Sequence, residues 1–231
     1  MSNNFKTPFS SLILYIFLVS LDGSSPNLEV PSYPGTSGFP AALSYNDGQV
    51  LACGGVDLAD STKCWVFDGS KWSPLPDSAP HCWFETTTTV VDGKWWLTGR
   101  VQTGDNGCAE DWISEVFNGD EWVPGPEHPT GYSQYSCTVQ LNTTHSLYTG
   151  GDPTKGQTWL YDWTSKTWTE SGGLHVHRYA HGCVVLYDQA VLVAGGEKAF
   201  ADYVMSVERY NPLQGKVIQS KLHQNKNTIP S

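Results

Sequence analysis

The stretch 50–72, VLACGGVDLADSTKCWVFDGSKW, constrains this chain more than any other, because its pattern is written four times. An apolar run closes on Gly54 and Gly55, a polar loop follows, Phe67 stands before Asp68-Gly69, and Trp72 ends the pattern. Gly55 aligns with Arg100, Gly151 and Gly196, at spacings of 45 (100−55), 51 (151−100) and 45 (196−151). The residues one place earlier are Gly54, Gly99, Gly150 and Gly195, so only the second copy departs from a glycine pair. Downstream come the aromatics Phe67, Phe117, Tyr161 and Tyr210, and in three copies the tryptophans Trp72, Trp122 and Trp168. The fourth copy offers Lys216-Val217-Ile218 where the tryptophan would be.

Upstream of each glycine position lies a hairpin signal. Leu43-Ser44-Tyr45 precedes Asn46-Asp47-Gly48, and Val90-Val91 precedes Asp92-Gly93. Val139-Gln140-Leu141 precedes 142–145, and Val184-Val185-Leu186 precedes Asp188-Gln189. Asp-Gly tolerates the positive φ of tight turns between paired strands. Each unit therefore reads as four short strands, a to d. Strand b ends at the glycines, c carries the aromatic, and d carries the tryptophan. One such unit cannot cover both faces of its own sheet, and units repeated at this period cover each other by stacking.

Apolar-apolar-Gly-Gly, a variable loop, an aromatic before Asp or Asn, and a closing Trp together resemble the kelch repeat. The resemblance covers roughly 40–217 and is nearest in 50–72 and 146–168, where Tyr161-Asp162 leads to Trp168. It implies an all-β chain, a kelch-type β-propeller of about four four-stranded blades. The units run over about 40–80, 81–133, 134–179 and 180–219, within a propeller region 40–219. Kelch propellers commonly have about six or seven blades, within the range open to propellers. The alternatives are thus a compact or incomplete ring, an arc completed in a homodimer, or a truncated product. The tail 220–231 carries no repeat and reads as loose.

Targeting and redox signals agree with one another. Lys6 precedes an apolar run over 12–19, and small and polar residues follow, which matches a signal peptide over 1–23 with cleavage near Gly23. Residues 24–39 are rich in Pro, Gly and Ser and read as an irregular lead-in, with one short strand conceivable over 28–30. Six cysteines in such a chain imply disulfides. The expected pairings are Cys53 with Cys64 across one loop, Cys82 with Cys108 flanking the second unit's inner hairpin, and Cys137 with Cys183 at near-equivalent strand positions, with free buried thiols as the alternative. Asn142-Thr143-Thr144 is an N-glycosylation sequon. The implied protein is secreted, disulfide-bonded and glycosylated, with no membrane span in the mature chain.

Function must come from loops, because the fold alone is a scaffold. The b–c loops and the d–a links share one face of such a unit. They carry Asp57, Asp60, Asp105, Glu110, Asp111, Asp152, Glu197 and Asp202, with Trp83, Phe84, Tyr132, Tyr135 and Tyr179. Carboxylates beside amphipathic aromatics suit a basic peptide or a sugar ring. The partner residues selected are Asp57, Asp60, Trp83, Asp105, Asp111, Tyr132, Asp152 and Tyr179. A net charge of −10 and the lack of a basic cluster exclude a nucleic-acid partner.

His175, His177 and His181 form the densest histidine cluster, but no carboxylate or thiol stands beside them in sequence to complete a metal site. Galactose oxidase, whose catalytic domain resembles stacked kelch repeats, raises the question of catalysis. Its copper chemistry draws on domains that this chain is too short to include. No catalytic set, cofactor or metal site can be assigned. The expectation is a non-enzymatic protein-binding scaffold. Its alternatives are a secreted carbohydrate-binding or galactose-oxidase-like carbohydrate-active propeller, and an intracellular kelch adaptor.

Overall fold

The computed structural model describes residues 31–35, 41–45, 49–54, 62–77, 83–91, 93–101, 114–129, 135–151, 156–199, 202–211 and 214–220. All regular elements among them are β-strands. The first sheet contains β1 (Ala41–Tyr45), β2 (Gln49–Cys53), β3 (Cys64–Phe67) and β4 (Trp72–Pro74). The second contains β5 (Trp83–Val91), β6 (Lys94–Val101), β7 (Ser114–Phe117) and β8 (Trp122–Pro124). The third contains β9 (Ser136–Gln140), β10 (His145–Gly150), β11 (Thr158–Asp162) and β12 (Thr167–Ser171). The fourth contains β13 (Gly182–Val185), β14 (Val191–Ala194), β15 (Val207–Asn211) and β16 (Lys216–Ser220).

In each sheet the strands lie side by side in chain order, so the chain is four meanders of the propeller-blade type. It divides into two compact units, Met1–Ser133 and Gln134–Ser231, each holding two blades.

The c-strand aromatic and the d-strand tryptophan face each other directly across the ladder. The pairs are Phe67 with Trp72, Phe117 with Trp122, and Tyr161 with Trp168. Their ring centroids are 5.2, 5.2 and 4.8 Å apart. The aromatic of each pair is buried and the tryptophan half-buried. In the first unit each indole N–H also ties the outer strand to the segment before its blade: Trp72 donates to the Pro31 carbonyl and Trp122 to the Pro76 carbonyl, at 3.2 and 3.0 Å. Tyr33 packs edge-on against both Trp65 and Trp72, which fixes part of the lead-in over the first blade.

Blade packs on blade within each unit. Leu51, Cys53 and Cys64 of the first sheet meet Trp95, Leu97 and Phe117 of the second. In the other unit Leu141 and Leu147 meet Val191, Val193 and Tyr210. Fully burying a side chain such as Leu51 or Val193 is worth about 1.5–3 kcal/mol over leaving it exposed.

The second copy shows what its missing glycine pair changes. β2 and β14 stop short of Gly54 and Gly195, and β10 stops at Gly150; these glycines have φ of +67°, +71° and +65°. A left-handed residue turns the chain out of the ladder. β6 instead runs through Gly99 and Arg100 to Val101, pairing with a β5 that carries a bulge between Phe84 and Thr87.

The c–d turns are held by acidic or amide side chains. Asp68 accepts from the Ser70 and Lys71 backbone N–H groups, both at 2.9 Å, and from the Ser70 hydroxyl. These bonds, led by the one from Lys71, lower its carboxyl to about 2. Asn118 and Asp162 hold the equivalent turns. Asn142 makes the same contacts in an a–b turn.

Two of the expected disulfides are present. Cys53 and Cys64 are cross-strand partners with Cα atoms 4.1 Å apart. Cys137 and Cys183 join the first strands of the third and fourth blades, 5.9 Å between Cα atoms. Cys82 and Cys108, the segment 1–23, the possible strand over 28–30 and the tail from 221 lie outside the described residues.

The two bridges close loops of different length, 46 and 11 residues. Chain entropy then assigns about 4 kcal/mol to Cys137–Cys183 and about 3 kcal/mol to Cys53–Cys64. Urea unfolding of the paired Cys→Ala variants should show the larger loss for the inter-blade pair.

Candidate functional site

The connection between the third and fourth blades, 172–181, is seated against the glycine corners of both. A Cβ on Gly150 would stand 2.5 Å from the Arg178 carbonyl oxygen, and one on Gly196 equally close to that of Tyr179. The missing side chains let the backbone of the connection pass there. Between the corners sits the His181 ring, buried, with Nε2 2.7 Å from the Thr149 hydroxyl. Burial first, and the Arg178 charge second, lower His181 to about 3, so the ring is neutral.

Arg178 fastens the same connection to the loop between β14 and β15. Its guanidinium donates to the Gly195 carbonyl and the Ser206 carbonyl, both at 2.9 Å, and to the Ser206 hydroxyl at 3.0 Å. It donates to Glu208 Oε1 at 2.6 Å. Gly195 and Ser206 are the two ends of the loop, so one side chain cinches it at its base. Arg178 and Glu208 are both fully buried. Glu208 also accepts from the backbone N–H groups of His175 and Val176, at 2.5 and 3.1 Å. A buried carboxylate requires this kind of satisfaction.

Tyr179, flanked by these anchors, is laid across the loop. It exchanges backbone hydrogen bonds with Glu197, both 2.9 Å, and its phenol donates to Glu197 Oε2 at 3.1 Å. Burial, and then the Glu197 hydrogen bond and charge, raise the Tyr179 phenol above its ordinary value, so the proton stays on the donor. Glu197 is in turn bridged to Tyr203, which is 68% exposed. On the other side the Tyr135 ring lies 5.7 Å from that of Tyr179. Tyr135 and Ala180 are equivalent repeat positions, both left-handed with φ of 53° and 52°, and the Ala180 N–H donates to the Tyr135 carbonyl at 2.8 Å.

Of the partner residues selected from sequence, Tyr179 stands in this patch. Trp83 opens β5, and its side chain lies outside the description. Asp57, Asp60, Asp105, Asp111, Tyr132 and Asp152 lie outside the described residues, as do Gly55 and Glu110. Asp202 is exposed beside Tyr203. The histidine cluster is divided: His175 and His177 are exposed, and His181 is buried under the glycines. Among the described residues no group of three His, Cys, Asp or Glu side chains is placed to hold a metal ion.

Sequence reasoning missed the Arg178–Glu208 clamp. A signal existed. In Val207-Glu208-Arg209-Tyr210 the period of two puts Glu208 on the same face as the core residue Tyr210, where a carboxylate needs a cation.

No protein-family model and no curated protein sequence matches the chain. Solved structures do share its fold. The protein YjhT aligns with a TM-score of 0.70 at 15% identity, over 85% of this chain and 68% of that one. A fungal alcohol oxidase of the AA5 family, in complex with copper, aligns at 0.53 and 13% identity over 80% of this chain. This chain spans about half of that oxidase, 53% of its length.

The likeness corrects one expectation. Exclusion of enzymatic activity does not stand, since a protein with this fold is a copper-bound alcohol oxidase. The physical reason is that catalytic groups converge from separate loops, so a sequence without a recognisable set does not exclude one.

Two measurements test the anchors. Arg178→Met leaves Glu208 buried without its cation and should lower unfolding free energy by about 3–5 kcal/mol in urea. The double replacement Arg178→Met with Glu208→Met should recover part of that loss. His181 falls from 6.5 to about 3 on folding, so the unfolded chain binds the extra proton between those values. Its contribution to stability is complete above about pH 6.5 and is lost as pH falls towards 3. Acid denaturation of His181→Gln should therefore have a shallower slope between pH 6.5 and 4.

Proposed function

We propose that this chain is a secreted kelch-type propeller protein whose loop face, at the third and fourth blades, binds a basic segment of a partner protein. The observation that carries the reading is the convergence of Tyr179, from a blade-to-blade link, with Glu197, from a b–c loop. Two connections that could have splayed apart are held together by buried anchors. They present tyrosine rings with a carboxylate, a surface suited to cationic side chains. The chain's net charge of −10 favours encounter with a basic partner. Both disulfides are consistent with an oxidising compartment.

A second reading is a carbohydrate-active propeller, favoured by the fold likeness to the AA5 alcohol oxidase. Tyrosine rings can stack on sugars as well as on cations.

Peptide arrays of varied charge, probed with the full chain, should enrich Lys/Arg-rich peptides, and Tyr179→Ala should weaken their capture about tenfold. Enrichment on a glycan array, or peroxide release from alcohols by copper-loaded protein, would favour the second reading. No preference for basic peptides would overturn the first. Secretion has its own check. Intact mass of the exported protein should show a start near Gly23 and a glycan on Asn142, which is exposed in its turn.

A further inference from the structure

We infer that Tyr135, Tyr179, Glu197 and Tyr203 form a subsite for one arginine side chain of the bound segment. This rests on the basic-partner reading and deepens it.

The bridges fix the arrangement. Glu197 is the antiparallel partner of both Tyr179 and Tyr203. Residues directly opposite in an antiparallel bridge carry their side chains on the same face, with Cβ atoms about 4.5–5.5 Å apart. Tyr179, Glu197 and Tyr203 therefore form a row with the carboxylate in the middle. The phenol bond from Tyr179 to Glu197 agrees with this placement. Tyr135 extends the row beyond Tyr179, its ring tilted by 37° to that of Tyr179. Tyr203, at 68% exposed, leaves the far end open to solvent.

A row of ring, carboxylate and ring selects the shape of the cation. A guanidinium is planar, so it can lie flat on a tyrosine face while its N–H edge donates to the carboxylate. An ammonium holds its water more strongly and has no plane to stack. The row is also preorganised. The Arg178 clamp closes the loop and the glycine corners seat the link before a ligand arrives, so little ordering remains to be done on binding.

The test titrates the full mature chain with acetyl-Gly-Arg-Gly-amide and its lysine and citrulline counterparts, followed by NMR of labelled tyrosine and methionine. The arginine peptide should shift the Tyr135, Tyr179 and Tyr203 resonances, along with the exposed Met205 methyl close by in sequence. It should bind at least about fivefold more tightly than the lysine peptide, and the uncharged citrulline peptide should lose about tenfold. Glu197→Gln keeps the size of the side chain and removes its charge, and should also cost the arginine peptide about tenfold. Tyr203→Ala, at an exposed position, should weaken binding with the fold intact. Equal binding of citrulline, or an unchanged titration of Glu197→Gln, would overturn the subsite. If a longer Lys/Arg-rich peptide binds without moving these rings, the subsite fails and the basic-partner reading stands. If neither peptide binds, both fail.

Discussion

Each four-stranded sheet here has two faces to cover and too little chain of its own to cover both, so blade must pack on blade. Leu51 and Cys53 of one sheet are completed by Trp95 and Leu97 of the next, and Leu147 of the third by Val191 and Val193 of the fourth. β2 is buried on successive residues, the pattern of a strand covered on both sides. The cross-strand aromatic pairs serve the same need at the outer edge. They cover strands of three to five residues that could not bury a core unaided.

Given that packing, the links between blades have little room, and the glycine corners provide it. The backbone of 172–181 passes where side chains on Gly150 and Gly196 would stand. Arg178 then joins that link to both ends of the neighbouring loop and to Glu208. A buried ion pair is not an efficient source of stability, because desolvation offsets much of its attraction. Its effect is geometric: the guanidinium satisfies five acceptors at once, among them both ends of the loop, and so holds the loop to its path. Tyr179 and Glu197 are placed by that path. The glycine pairs support the link. The patch itself is made by less regular residues of the link and the loop.

Much of the architecture was legible because its causes are local. Apolar runs, Asp-Gly turns and the spacing of aromatics are properties of a few consecutive residues, and the expected a, b, c and d segments appear as strands in all four blades. Cys53 and Cys64 could be paired for the same reason, lying opposite each other across one loop. Cys137 and Cys183 were legible through the repeat, which gives them near-equivalent positions in successive blades. The extension of β6 through Gly99 and Arg100 was not read in advance, although the broken glycine pair marked the place.

The functional patch was legible only in outline. Repetition placed Tyr179 and Glu197 on the same end of their units, since links and b–c loops leave the sheets on one side. It could not say that they touch, that Tyr203 flanks the same carboxylate, or that Arg178 is buried against Glu208 at a separation of 30 residues. The sequence by itself determined the strands, the turns and the four repeated units, because periodicity and turn chemistry act over neighbouring residues. The tertiary structure decided which side chains meet across loops. An alternating pattern tells which face a residue takes, and only the packed fold supplies the residue that faces it.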